Sequence, residues 1–219
     1  MTFELESMAI EMPAVSRHPN RLPFRGVLTL VDVPSDQPPQ GAREHRVLLT
    51  REAAEKALPS LLGMALDFSP ALDAHDAKRK VGIITSADVV ESAVGSRQSA
   101  ASGQWSVAGG QPTTHDPRPT TVLEVSGYLF AKDFPEVVRE LRRSASRLGM
   151  SYEISDATVQ DVHASVWTLT EVTFTGAAIL RREKAAYQQT WIELQLTSET
   201  QSSVSPSGLQ PARDLLLPQ

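Results

Sequence analysis

The sequence predicts a mainly β fold with flanking helices, an α+β protein built on a small β-barrel or sandwich. Two observations point there. About six β-rich words dominate the chain, whereas only two segments carry helical periodicity. The helical segments are also inserted between strands without the regular alternation of a βαβ repeat, and no internal repeat occurs.

The elements can be justified in order. Residues 1–23 mix short apolar words with Pro13, Pro19 and Pro23 and read as an irregular arm. The run FRGVLTLVDV at 24–33 has β-branched residues at strand spacing and ends in the Pro-rich loop PSDQPPQG. REHRVLLT is a second apolar run, and Thr50 is a suitable N-cap for a helix through REAAEKAL, with Ala53, Ala54, Ala57 and Leu58 on one face. Pro59 should end or kink that helix. A polar loop with Asp73, His75 and Asp76 then leads into a strand at 81–85.

Residues 96–119 are rich in Ser, Gly, Gln and Pro with few aliphatic side chains, and read as a flexible insertion. TVLEVSGYLF at 121–130 is a strand. The next helix takes Asp133 as cap, with Glu136 at capping-box spacing. Phe134, Val137, Val138, Leu141, Ala145 and Leu148 share its apolar face, and Gly149 is its expected stop. MSYEISDATVQ and SVWTLTEVTFTGAAIL follow as a hairpin. The folded domain is therefore expected at 24–190, with 191–219 a disordered tail.

Composition narrows the function. A net charge of −5, from 21 Lys+Arg and 26 Asp+Glu, gives no electrostatic case for nucleic acid or anionic membranes as partners. Zero cysteines exclude disulfides, thiolate metal sites and a cysteine nucleophile. There is no signal peptide and no apolar run long enough to span a bilayer, so a soluble cytoplasmic protein is expected. HxH, HxxxH, HExxH, P-loop and GxGxxG motifs are missing, so no metal or cofactor is expected.

A nucleophile would then be Ser, Thr, Lys or a carboxylate. Ser151, in LGMSYEIS, follows a helix and its glycine at the head of a strand, where the Gly149 and Met150 peptides could supply oxyanion donors. Its plain alternative is a hydroxyl satisfying a carbonyl at a helix–strand junction. Of the five histidines, His18 and His115 lie in irregular segments, His45 on a charged strand start and His163 in a hairpin turn. His75 is the best base, since it precedes a core strand between acids; the plain reading of any lone histidine is a solvated loop residue. Glu171, in the apolar run WTLTEVTFTGAAIL, is the third candidate, as an acid that orients the imidazole or as a solvent-facing strand residue. Asp156 and Asp161 are less constrained alternatives. GxSxG is not matched, because Glu153 replaces the second glycine.

The order of these words resembles the prohead maturation proteases of tailed phages, relatives of the herpesvirus capsid protease assemblin. The words are AHDAKRKVGIITSADVV, the G-Y-L-F strand with its amphipathic helix, LGMSYEI, and LTEVTFTGAAIL. The likeness covers roughly residues 25–187. It implies an assemblin-like small β-barrel wrapped by helices, with His75 as base, Ser151 as nucleophile and Glu171 as the orienting acid. Arg181 and Arg182 resemble the family's oxyanion-binding arginine pair at a different offset. Glu153, and GAAIL in place of a Pro-Ala-Asn word, depart from the family pattern.

The implied activity is a serine endopeptidase that needs no cofactor. Its implied partners and substrates are the phage scaffold protein and the major capsid protein, with self-cleavage and a homodimer compatible with it. Its place would be the assembling prohead in the host cytoplasm. The competing readings are an inactive capsid-assembly or scaffold-associated protein of the same fold, and a β-barrel binding module that uses residues 96–119 for recognition.

Overall fold

The computed structural model describes residues 18–92 and 120–195. The arm before residue 18, the insertion at 96–119 and the tail beyond 195 lie outside the described residues. The elements are β1 (Arg21–Leu30), β2 (Arg46–Leu49), α1 (Arg51–Ala57), β3 (Ala65–Phe68), β4 (Lys80–Ser92), β5 (Thr120–Phe130), α2 (Pro135–Ser144), β6 (Leu148–Val159), β7 (Val166–Arg181) and β8 (Trp191–Leu194). The protein is mainly β: eight strands form one curled, half-barrel sheet carrying two short helices. No helix among the described residues is long and apolar enough to cross a membrane.

The sheet runs β2-β7-β3-β4-β5-β1-β8, with β6 on the other edge of β7. β7 is the longest strand and organises the rest. Its first part pairs in parallel with β2 and its last part in parallel with β3, while β6 pairs with it antiparallel as the expected hairpin. Leu66 and Phe68 of β3, Ala177 and Ile179 of β7, and Leu148 and Met150 of β6 all join the main core. Strand alternation therefore sends the residues between them to the opposite face.

The two helices follow from local chemistry. Thr50 caps α1 as expected, accepting from the Ala53 N–H at 3.2 Å while its hydroxyl donates to the Leu169 carbonyl at 3.2 Å. Ala53, Ala54 and Ala57 are buried in the core. α2 buries Val137, Val138 and Leu141. Asp133 is not its cap: Phe134 holds that position without a side-chain bond, and the Asp133 carboxylate instead accepts from the Asn20 amide at 2.7 Å. Glu136 is paired with Arg79, and its carboxylate also takes its own backbone N–H in the first turn of the helix rather than reaching back to Asp133.

Two boundaries differ from expectation. Gly149 does not stop a helix; it is the second residue of β6, because the chain passes through a single 3-10 turn at Ala145–Arg147 straight into the strand. Trp191–Leu194 form β8 against β1, so the folded body reaches into the segment expected to be tail.

β6 and β8 face each other across the seam of the half-barrel. The fully buried Thr190 bridges it: its hydroxyl accepts from the Met150 N–H at 3.2 Å and donates to the Tyr187 carbonyl at 2.9 Å. Thr190→Val keeps the shape and leaves a buried N–H unpaired. It should destabilise the protein by about 1–3 kcal/mol, read from chemical denaturation; an unchanged midpoint would show that the seam does not rely on this bond.

Candidate functional site

The site is built on one ladder position of the sheet. Ala178 of β7 pairs with Asp67 of β3 on one side and with Ser151 of β6 on the other. Laterally paired residues point to the same face, so Asp67 and Ser151 flank Ala178 on the face away from the main core. Ala178 is a small, fully buried floor between them.

His75 comes from the loop between β3 and β4, which folds back over this face. The loop is tied down by the Arg181 N–H donating to the Leu72 carbonyl at 2.9 Å and the Phe68 N–H donating to the Arg79 carbonyl at 3.2 Å. Arg79 pairs with Glu136 of α2 and lies over the rings of Phe68 and Phe134, at 5.6 and 5.9 Å from their centroids. The His75 Nδ1 is thereby set 3.4 Å from the Asp67 carboxylate. The same nitrogen lies 3.6 Å from a carboxylate oxygen of Glu153, two residues beyond Ser151 on β6.

Asp67 is the best-held member. Its side chain is 1 % exposed, the Asp76 N–H donates to it at 3.1 Å, and the Lys80 ammonium lies 3.4 Å away. Burial pushes its carboxyl upward, but the His75 ring, the Asp76 N–H and the Lys80 charge outweigh that and hold it below its ordinary value.

Glu153 reaches His75 by crossing β7 over Gly176. A Cβ at position 176 would stand 2.6 Å from the Glu153 carboxylate, so the side chain lies in space that glycine leaves open. Both ring nitrogens of His75 are buried without an aligned hydrogen bond. The ring thus lies beside the Asp67 and Glu153 carboxylates at 3.4 and 3.6 Å without an aligned bond to either, and no hydrogen bond joins His75 to Ser151.

Glu171 does not belong to this site. The hairpin register sets it opposite Thr158, seven residues along β6 from Ser151, or about 23 Å at strand rise. Its exposed carboxylate lies 2.6 Å from the Lys56 ammonium. That hydrogen bond, and next the Lys56 charge, hold the Glu171 carboxyl below its ordinary value. The expectation that Glu171 orients His75 is thus corrected: Asp67 and Glu153 are the acids on the ring. Asp67 escaped sequence reasoning because β3 is four residues long; the available signal was one carboxylate between Leu66 and Phe68 in an otherwise apolar word. Glu153 was visible only as a missing glycine.

The expected oxyanion donors also change. The Met150 N–H is taken by Thr190, and Gly149 sits in the ladder opposite Leu180. Arg182 packs against Gly149, its Cγ 3.2 Å from the place of a Cβ there, and its Nε donates to the Leu148 carbonyl at 3.0 Å. Burial lowers its guanidinium below the ordinary value. Arg181 is exposed, 3.8 Å from Glu183. His45 and His163 lie elsewhere, His45 stacked on Trp167 at 4.5 Å and His163 in the β6–β7 turn. No cluster of three or more metal-ligating side chains suited to an ion occurs among the described residues.

No protein family, curated protein or solved structure matches the chain.

The Asp67 carboxyl predicts a pH dependence with a definite sign. A carboxyl held lower in the folded state than its ordinary 3.8 contributes stability that is fully present above that value. The contribution is lost as pH falls through the lower folded-state value. The stability gap between wild type and Asp67→Asn should shrink as pH falls below about 5. Denaturation series at several pH values check this; a gap that grows in acid would reverse the assignment.

Proposed function

We propose that the protein is a serine hydrolase acting on peptide bonds, with Ser151 as nucleophile, His75 as general base and Asp67 as the acid that orients the ring. The single observation that carries this reading is the ladder Asp67–Ala178–Ser151, with the His75 ring held over it by Asp67. A buried, ionised carboxylate at Nδ1 favours the tautomer whose Nε2 can accept a proton, and stabilises the imidazolium that forms. Ser151 then attacks the carbonyl carbon, its proton passes to His75, the amine leaves with that proton, and water releases the acyl group. Arg182, beside Gly149, is the cation available near the start of the nucleophile strand to stabilise the oxyanion.

Within this reading, the chain order His, Ser and the half-barrel with α2 leading into the Ser151 strand support an assemblin-like prohead maturation endopeptidase. Scaffold and capsid-protein segments would be its substrates and the assembling prohead its place. Asp67 stands before His75 in the chain, so the acid comes first here, unlike the order expected from the resemblance.

One observation favours a non-catalytic shell-assembly protein of the same build: His75 makes no hydrogen bond to Ser151. Catalytic contacts are often loose without substrate and tighten when it binds, so labelling decides between the two. A fluorophosphonate probe should modify Ser151 in the wild type, and not in Ser151→Ala. Asp67→Asn should slow labelling by about a hundredfold or more, whereas Glu171→Gln should leave it unchanged. Equal labelling of wild type and Ser151→Ala would remove the serine-hydrolase reading.

A further inference from the structure

Glu153 does something that the triad does not require. Asp67 is fully enclosed and already neutralised by Lys80 and the Asp76 N–H. Glu153, by contrast, has a half-exposed side chain whose carboxylate lies 3.6 Å from the His75 Nδ1, and no Lys or Arg lies within ion-pair distance of it among the described residues. It shares a strand face with Ser151 at i+2, about 6.7 Å along β6. A peptide whose scissile carbonyl sits at Ser151 has successive Cα atoms ~3.8 Å apart, so a side chain one or two positions from the cut is within reach of this carboxylate when the peptide runs along β6.

We propose that Glu153 forms a substrate-selecting subsite that receives a cationic Lys or Arg side chain next to the bond cut at Ser151. The inference rests on the peptidase reading above. An acid without a fixed cation partner, partly shielded by the sheet and the His75 loop, attracts a complementary charge more strongly than a freely hydrated one. It also disfavours an acidic side chain at the same place, so selectivity comes from repulsion as well as attraction. Gly176 serves this subsite: with no Cβ there, the Glu153 side chain lies across β7 in the space a larger residue would fill.

The test uses the purified full chain and a tryptophan-quenched library of short peptides, with fluorophosphonate labelling on the same preparations. Cleaved peptides should carry Lys or Arg within two residues of the cut. For the best peptide, replacing that residue by norleucine should lower kcat/KM by about tenfold or more. In Glu153→Gln the Lys-to-norleucine ratio should fall to near one, and Glu153→Lys should turn the preference toward a Glu-containing peptide. The ratio is informative because any effect of the variant on His75 is common to both peptides and cancels. Glu153→Asp, which keeps the charge, should retain a preference and controls for folding.

Ser151 labelling together with cleavage that ignores basic residues, or a ratio unchanged in Glu153→Gln, overturns the subsite and leaves the peptidase reading standing. Labelling with no peptide cleaved at all overturns the peptide subsite while keeping the nucleophile. Neither labelling nor cleavage beyond Ser151→Ala removes the peptidase reading, and the subsite with it.

Discussion

The arrangement depends on the pairing of β7 with β3 on one edge and β6 on the other. A strand paired on both sides fixes its neighbours to within a hydrogen-bond register, and a slip of one residue would turn every side chain to the wrong face. At Ala178 that register sets a carboxylate and a hydroxyl on one face, two strand spacings apart, with a side chain small enough between them to admit a ring. The neighbouring positions, Ala177 and Ile179, fill the core and lock the register hydrophobically. The side chains that pack the barrel and those that face the site are therefore one alternating set.

A buried carboxylate is costly unless it is paired and hydrogen-bonded. Asp67 is compensated by groups that all come from the β3–β4 connection or the first residue of β4: the Asp76 N–H, the His75 ring and Lys80. Removing the carboxylate would leave the loop without its centre, and removing the loop would leave a bare buried charge. The Arg79–Glu136 pair extends this dependence to α2, which leads through a single turn into the strand that carries Ser151. The histidine loop and the serine strand are thus tied to the two ends of the same helix.

The seam adds a second constraint. Thr190 takes the Met150 N–H, and Gly149 is needed because a Cβ there would stand 2.6 Å from the Thr190 hydroxyl. The start of β6 is consequently rigid and close to Arg182, which fixes the backbone from which Ser151 projects. The same closure leaves the Met150 N–H already bonded and turned away from the Ser151 face.

Much of this was legible in the sequence. Periodicity and turn residues gave the mainly β class, the Thr50 cap, the 121–130 strand, the amphipathic face of α2 and the β6–β7 hairpin, because each depends on neighbours within a few residues. The hydroxyl at Ser151 and the histidine loop before β4 stood out for the same local reason. The acids beside His75 did not. Glu171 attracted attention as a charge in an apolar run, yet on an exposed strand edge it only needed Lys56, and the hairpin register carried it seven residues away from Ser151. Asp67 and Glu153 acquire their meaning from parallel and antiparallel pairing with the same stretch of β7, across more than a hundred residues of chain in the case of Asp67. Sequence alone determined which segments form strands and helices. Only the tertiary register decided which acids meet His75, because period-2 alternation assigns a face to a residue but the partner strand assigns its neighbours.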